Sequence, residues 1–335
     1  MNKNTKKFAR IVTDFFEKHL KETKGVSCNT IANYRDTFKL LIRYIASTGV
    51  SIESMSFDDL SVNTILDFLN FLEQSRNNTV STRNIRLAAI HSFFKYVAFR
   101  SPEDILLSQQ VLGIPFKRTK YREVEYFEYS EIEQILQSVD LSSPWGLRDY
   151  ALIIFMFNTG ARAQEVVDVT VNDIDFSSPY SVRIIGKGQK ERHCPLWKST
   201  INAIESYIDS IRVARRSHQN LFINHNGTAL TRFGVRYILA KYTKKGAENM
   251  SSLKNKRLHP HSMRHSTGVY MLKSGNALSS IASWLGHSCP STTNRYATMD
   301  VEMKRQILDT LIPPTTILPQ DWSEDKNLLD WLEKL

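Results

Sequence analysis

The sequence predicts a two-domain, mainly α protein (α+β), in which an N-terminal bundle of four to five helices precedes a mostly helical domain with a small antiparallel sheet. Three observations lead there. At 335 residues the chain is too long for one typical hydrophobic core and long enough for two. Apolar residues recur at helical intervals through most of the first hundred residues. Between residues 173 and 196 the pattern changes to the alternation of short strands.

Residues 5 to about 100 read as four amphipathic helices. Ile31, Tyr34, Phe38, Leu41, Ile42 and Ile45 form one stripe, Ile65, Phe68, Leu69 and Leu72 a second, and Leu87, Ile90, Phe94 and Val97 a third. Three such stripes bury one another only in a bundle. The stretches KGVS at 24–27, TGVS at 48–51 and NNTVS at 77–81 supply the breaks and the capping hydroxyls. Opposite the first stripe, Arg35, Lys39 and Arg43 recur every four residues as a basic line. The fourth helix opens with Thr82, Arg83 and Arg86. The plain reading of these charges is a solvated helix face; the functional one is a surface for a polyanion.

Residues 114–125 (IPFKRTKYREVE) hold a proline, a run of basic residues including Lys117, Arg118 and Lys120, and no apolar period, which predicts an interdomain linker between domains at 1–113 and 126–312. The second domain opens with a helix after Ser130. A longer one follows from Trp145 to Asn158, with Leu147, Tyr150, Ile154 and Phe157 on its buried face and Gly160 ending it. Arg162 then stands at the start of the next helix with Glu165 three residues on. Strands are expected at 173–176, 181–185 and 191–196. Between the last two, GKGQK at 186–190 forms a tight turn with Lys187 at its tip. The GxxxxGK[ST] spacing is missing, which argues against a nucleoside triphosphate loop. A tail helix at 313–335 has five acids against two lysines and an apolar stripe at Leu328, Leu332 and Leu335.

A hydrophobic content of 41% and a charged content of 23% are those of an ordinary globular protein. The formal charge of +10 and a pI near 9.4 favour a polyanionic partner, nucleic acid first. Residues 1–125 carry 19 Lys and Arg against 13 Asp and Glu, so the larger share of the excess lies in the first 125 residues. Cys28, Cys194 and Cys289 are far apart with no CxxC pair, against a disulfide framework or a zinc ribbon. The first ten residues lack the apolar core of a signal peptide, and the longest apolar run, 151–157, is too short for a bilayer. The expectation is a soluble cytoplasmic, nucleoid-associated protein with no membrane partner.

The chemistry concentrates in HSMRH at 261–265 and LGHSCPSTTNRY at 285–296. His261 and Arg264 share a helix face, and Pro260 at the first helical position puts His261 in the first turn, where free N–H groups favour an anion. Arginine grips phosphate as a fork and histidine adds a donor or a proton relay. A short helix at 281–285 is closed by Gly286, with His287 and Tyr296 following. The stretch reads as a phosphate site.

These two motifs, with TGAR at 159–162 and GKGQKER at 186–192, stand in the order and at the approximate spacings of the tyrosine recombinase (phage integrase) family, which the chain resembles across about residues 145–300. The resemblance implies an N-terminal DNA clamp and a catalytic domain that breaks a DNA strand through a 3′-phosphotyrosyl enzyme. Tyr296 matches the nucleophile, Arg162 and Arg264 the ligands of the non-bridging oxygens, His261 and His287 the rest of the cradle, and Lys187 the acid, with Lys190 second in line. Glu165 and His265 match supporting residues. No cofactor and no metal are implied. The partners implied are double-stranded DNA and further copies of the chain, a homo-tetramer on two DNA sites with the tail helix docking on a neighbour, with room for accessory DNA-binding proteins. The tail beyond Tyr296 points towards an integrase or transposase of a mobile element. Three rivals stand beside this reading. A type IB topoisomerase or resolvase would use the same residues. A non-catalytic DNA-binding regulator would keep only the fold. A zinc hydrolase built on His259, His261 and His265 lacks the glutamate of HExxH.

Overall fold

Helices in the first half of the chain start where a hydroxyl can close the first turn. In this computed structural model, which describes residues 3–119, 125–186, 188–211, 219–256 and 259–286, the side chains of Ser27, Ser61 and Thr79 each accept the backbone N–H three residues on, at 3.3, 3.2 and 3.3 Å. Those caps begin α2 (Cys28–Ser47), α3 (Val62–Gln74) and α4 (Val80–Arg100). Before them α1 (Lys3–Asp14) runs on into a π-helical stretch, Phe15–Thr23, and after them comes α5 (Ile105–Leu112). Among the described residues the bundle thus has five α-helices; the caps at Ser27 and Thr79 fall within the predicted breaks, whereas α3 is capped by Ser61, ten residues beyond the break expected at 48–51.

The chain divides into two compact units, Met1–Arg122 and Glu123–Leu335. In the first, every residue of the predicted α3 and α4 stripes is buried, while on α2 the burial is complete at Phe38, Leu41 and Ile45 and partial at Ile31, Tyr34 and Ile42. Phenylalanines knit the helices together: Phe93 of α4 meets Phe15 at 5.2 Å and Phe38 of α2 at 5.0 Å between ring centres, both nearly edge to face. Each such pair adds about 0.5–1.5 kcal/mol beyond the area it buries. The segment expected to begin the linker is held to this unit. Asn84 of α4 receives the N–H of Lys117 at 3.1 Å and donates to its carbonyl at 2.7 Å, and the Lys117 ammonium pairs with Glu73 at 2.6 Å. Residues 120–124, Lys120 among them, lie outside the described residues.

The second unit is built on α7 (Pro144–Thr159), preceded by α6 (Tyr129–Gln137) and followed by α8 (Ala163–Asp168). The expectation of one buried face on α7 was too narrow. From Ala151 to Thr159 every residue is buried, and so are Arg148 and Asp149. A helix enclosed on all sides shows no polar stripe, so periodicity cannot mark its burial. The strands β1 (Ile174–Asp175), β2 (Ser181–Ile185) and β3 (Glu191–Pro195) form an antiparallel sheet in the order β1-β2-β3, with Arg183 opposite His193 and Ile185 opposite Glu191. Val182, Ile184 and Cys194 point into the core. Helices α9 (Lys198–Ser210) and α10 (Arg232–Gly246) were expected only as part of a mostly helical domain. Last come α11 (Pro260–Lys273) and α12 (Leu278–Leu285). Pro260 does occupy the first turn of α11, and Gly286 ends α12 at φ +63°, where a side chain would be strained. The tail expected at 313–335 lies outside the described residues. Among the described residues no helix is long and apolar enough to cross a membrane.

Candidate active site

The carbonyls at the end of α7 have no partners within their own helix, and their partners build the site. Thr267 of α11 donates to the Phe157 carbonyl at 2.7 Å, and the indole of Trp284 on α12 donates to that of Asn158 at 3.1 Å. Arg264 of α11 donates to the Gly160 carbonyl at 2.8 Å and, from its other terminal nitrogen, to the Leu285 carbonyl. One guanidinium therefore joins the last turns of α7 and α12, where a cation also meets the negative ends of both helix dipoles. Arg264 is 1% exposed, buried between these two helix ends.

Gly160 turns the chain out of α7 at φ +59°, which brings Arg162 to the cap of α8. Glu165 holds it there: one carboxylate oxygen accepts the Arg162 guanidinium at 2.7 Å and the other accepts the Arg162 backbone N–H at 2.8 Å. The second oxygen also accepts Arg192 of β3 at 2.8 Å. Burial by itself pushes the Glu165 carboxyl up. The bonds and charge of Arg192 and the two donors of Arg162 outweigh it and hold the group below the ordinary carboxylate range. Arg192 is driven the other way by its burial, and Glu165 keeps its pKa above the ordinary arginine value.

Arg162 lines two adjoining hollows. An open cleft of about 1230 Å³ is walled by Arg162, Gly186, Lys190, Arg192, His193 and Gly286 among others. A recess of about 340 Å³ is walled by Arg162, Arg236, His259 and His261. His261 is exposed, and its ring meets that of the buried His265 edge to face at 4.4 Å, so the inner histidine props the outer one. The hairpin turn is tied by the Gly186 N–H to the Lys190 carbonyl at 2.8 Å, which sets Lys190 on the cleft wall.

Of the residues singled out in the sequence, Arg162, Glu165, His261, Arg264 and His265 come together here. Lys187, His287 and Tyr296 lie outside the described residues. Among the described residues no three His, Cys, Asp or Glu side chains are placed to hold a metal ion. In the first unit Arg35, Lys39 and Arg43 are exposed along α2, Arg35 pairing with Asp36 at 3.1 Å, and Arg118 is exposed. Thr82 is half-buried beside the cap of α4. Arg83 and Arg86 turn inward. Arg83 is 4% exposed and donates to the Pro115 carbonyl at 3.1 Å, and Arg86 donates to the Thr37 hydroxyl at 3.0 Å.

Sequence reasoning missed Arg192 and Arg236. Arg192 sat inside a quoted motif, but nothing in a linear string shows that its side chain crosses to Glu165. Arg236 had a signal that was passed over: Arg232, Phe233, Arg236 and Tyr237 fall at paired four-residue spacings on α10, and all four are exposed, Phe233 at 78%.

The phage integrase family model matches residues 125–303, and the model of the phage integrase N-terminal SAM-like domain matches residues 13–100. The y4rC protein of Sinorhizobium fredii, an integrase/recombinase by name, is 33% identical over 329 residues, 98% of each chain. The tyrosine recombinase XerD of Halalkalibacterium halodurans is 32% identical over 280 residues, 82% of this chain and 89% of its own. Among solved structures, the Tn1549 transposon integrase in complex with transposon right end DNA matches with a TM-score of 0.69 over 89% of this chain and 98% of that one; at 16% identity the likeness is one of fold.

Proposed function

Because the chain belongs to the phage integrase family, we propose that it is a site-specific DNA recombinase in which Tyr296 attacks the scissile phosphate. The phenol, with an unperturbed pKa of about 10, gives its proton to a histidine of the cradle, His261 or His287. A bond forms between the phenolic oxygen and phosphorus, and the bond from phosphorus to the 5′ oxygen breaks. Lys187, or Lys190 on the cleft wall, protonates that oxygen as it leaves. The 3′-phosphotyrosyl link keeps the free energy of the broken bond, so a free 5′-hydroxyl from the same or another strand reseals it without ATP. Arg162 reaches the non-bridging oxygens, and Arg264 adds positive charge.

The observation that carries this reading is the assembly of Arg162 with His261 in one hollow and with Lys190 and Arg192 in the next, cationic groups converging where a phosphodiester gains charge. Arg232, Phe233, Arg236 and Tyr237 on the outer face of α10 extend that surface, with cations for phosphate and aromatic rings for apolar groups of the nucleic acid. The first unit supplies the exposed line Arg35, Lys39 and Arg43 for the same duplex, and Lys117, Arg118 and Lys120 stand at the start of the connection. The working form is a cytoplasmic, nucleoid-associated tetramer on two sites, each tail at 313–335 docked on a neighbour. Deleting residues 315–335 should then weaken the synaptic complex on native gels; equal abundance would end the docking idea.

Covalent trapping tests the chemistry. A binding selection from random duplexes supplies the site, which is then built into a nicked duplex. Wild type should leave a protein–DNA adduct on denaturing gels and Tyr296→Phe none, while Arg162→Ala lowers the cleavage rate roughly 10²- to 10³-fold, the scale for losing one charge-stabilising donor. Specific binding by wild type with no adduct would favour a DNA-binding regulator. Relaxation of supercoiled DNA with no exchange between paired sites would favour the topoisomerase reading.

A further inference from the structure

We infer that Arg192 is a positioning residue of the strand-cleaving site, its guanidinium locking Arg162, the start of the β2–β3 hairpin and the end of α12 into one arrangement. This rests on the recombinase reading above. Three features carry it. The first is the bond at 2.8 Å from Arg192 to the same Glu165 oxygen that receives the Arg162 backbone, while the other oxygen receives the Arg162 guanidinium. Both arginines thus share one buried carboxylate, and the direction of Arg162 into the cleft depends on where Arg192 draws Glu165.

The second feature is the pair of glycines on either side. A side chain at Gly286 would begin 3.2 Å from both Cδ and a terminal nitrogen of Arg192, and one at Gly186 would begin 3.2 Å from Glu165 Oε1 and 3.7 Å from Arg192. The close approach of Arg192 to Gly286 leaves little room for a Cβ there, and at Gly186 the carboxylate of Glu165 is the tighter neighbour. Gly186 is followed in the chain by Lys187 and Gly286 by His287. Arg192 therefore packs beside the residues that immediately precede two more candidate catalytic residues in the chain. The third feature is burial: the Arg192 side chain is 10% exposed and its Nε is buried with no hydrogen-bond acceptor among the described residues. A group so placed lines the cleft by its edge and acts through what it holds.

A mutant cycle read on cleavage tests it, because a role in stability alone would lower the rate by one factor in every background. Single-turnover cleavage of the selected nicked duplex, at saturating protein, is measured for wild type, Arg192→Gln, Arg162→Lys and the double variant, with gel-shift affinity and thermal melting alongside. The expected result is that Arg192→Gln slows cleavage by about 100-fold, the scale of an ångström misplacement, with affinity within about threefold because only the reacting geometry moves. Arg192→Lys recovers part of the loss, since a point charge reaches Glu165 without the fork. In the Arg162→Lys background the added Arg192→Gln costs less than about threefold, the two acting as one unit. The same loss in both backgrounds, or cleavage by Arg192→Gln at the wild-type rate, overturns the proposal. If Arg192→Gln shows no melting transition, Arg192→Lys takes its place in the cycle. An adduct persisting in Tyr296→Phe would instead sink the tyrosine assignment, whatever the cycle shows.

Discussion

Two arginines of opposite placement show how side-chain length defeats a linear reading. Arg35 and Arg83 both lie on helices of the first unit and both looked like DNA contacts. Arg35 is exposed, whereas Arg83 folds back onto the Pro115 carbonyl. A helical period gives the face from which a side chain starts, and a six-atom side chain ends where its donors find an acceptor. Arg83→Ala should lower the melting temperature of the protein while leaving the salt dependence of DNA binding unchanged. At Glu165 the sign of a pH effect can be worked out. Its pKa is depressed in the fold, so its pairing stabilises fully above the unfolded carboxyl value near ~4.3 and is lost as pH falls through the lower folded value. Removing one partner of a buried pair costs about 3–5 kcal/mol, and here the low end applies because Arg162 remains. The stability deficit of Arg192→Gln should therefore be full at pH 7 and shrink as pH is lowered below about 4. Melting curves across that range check it; a deficit independent of pH would mean the charge on Glu165 is not what Arg192 stabilises.

Among the elements, the last turn of α7 decides most. Its carbonyls receive Thr267, Trp284 and Arg264 from two later helices, so the three helices are joined by hydrogen bonds that no sequence period encodes. The turn itself was legible, because a glycine after an apolar helix predicts the left-handed residue that Gly160 supplies. Its second requirement was not: a Cβ there would lie 2.4 Å from Leu285 Cδ2. Gly160→Ala combines a strained φ with that overlap and should destabilise by about 2–4 kcal/mol in urea titrations, from backbone strain of 1–3 kcal/mol plus overpacking of similar size. A loss under ~0.5 kcal/mol would show that the α7–α12 junction yields easily. The stripes of α3 and α4 were read correctly because each has one wet face. Helix α7 was read too narrowly because it has none. Helices α9 and α10 do carry stripes, Ile201, Ile204 and Tyr207 on one and Val235, Ile238, Leu239 and Tyr242 on the other, yet no motif drew attention to them.

For the whole molecule, charge is the property that length and composition reach most directly. Residues 1–122 hold 19 Lys and Arg against 11 Asp and Glu, so +8 of the net +10 belongs to the first unit. Binding to duplex DNA should weaken steeply with salt, and Arg35→Ala, Lys39→Ala and Arg43→Ala should each reduce the slope of log K against log salt by about 1 where the residue neutralises a phosphate. Slopes unchanged in all three would remove α2 from the DNA surface. By itself the sequence determined the family, the bundle, the three-stranded sheet and the arginine, histidine and glutamate motifs, because these rest on period and spacing, which are properties of a linear string. Only the tertiary structure decided that Arg264 is buried between the ends of α7 and α12, that Arg83 and Arg86 hydrogen-bond within their own unit, and that Arg192 and Arg162 meet on one carboxylate. Those outcomes depend on which donors reach which acceptors across elements far apart in the chain, and burial makes each such pairing obligatory once the elements have packed.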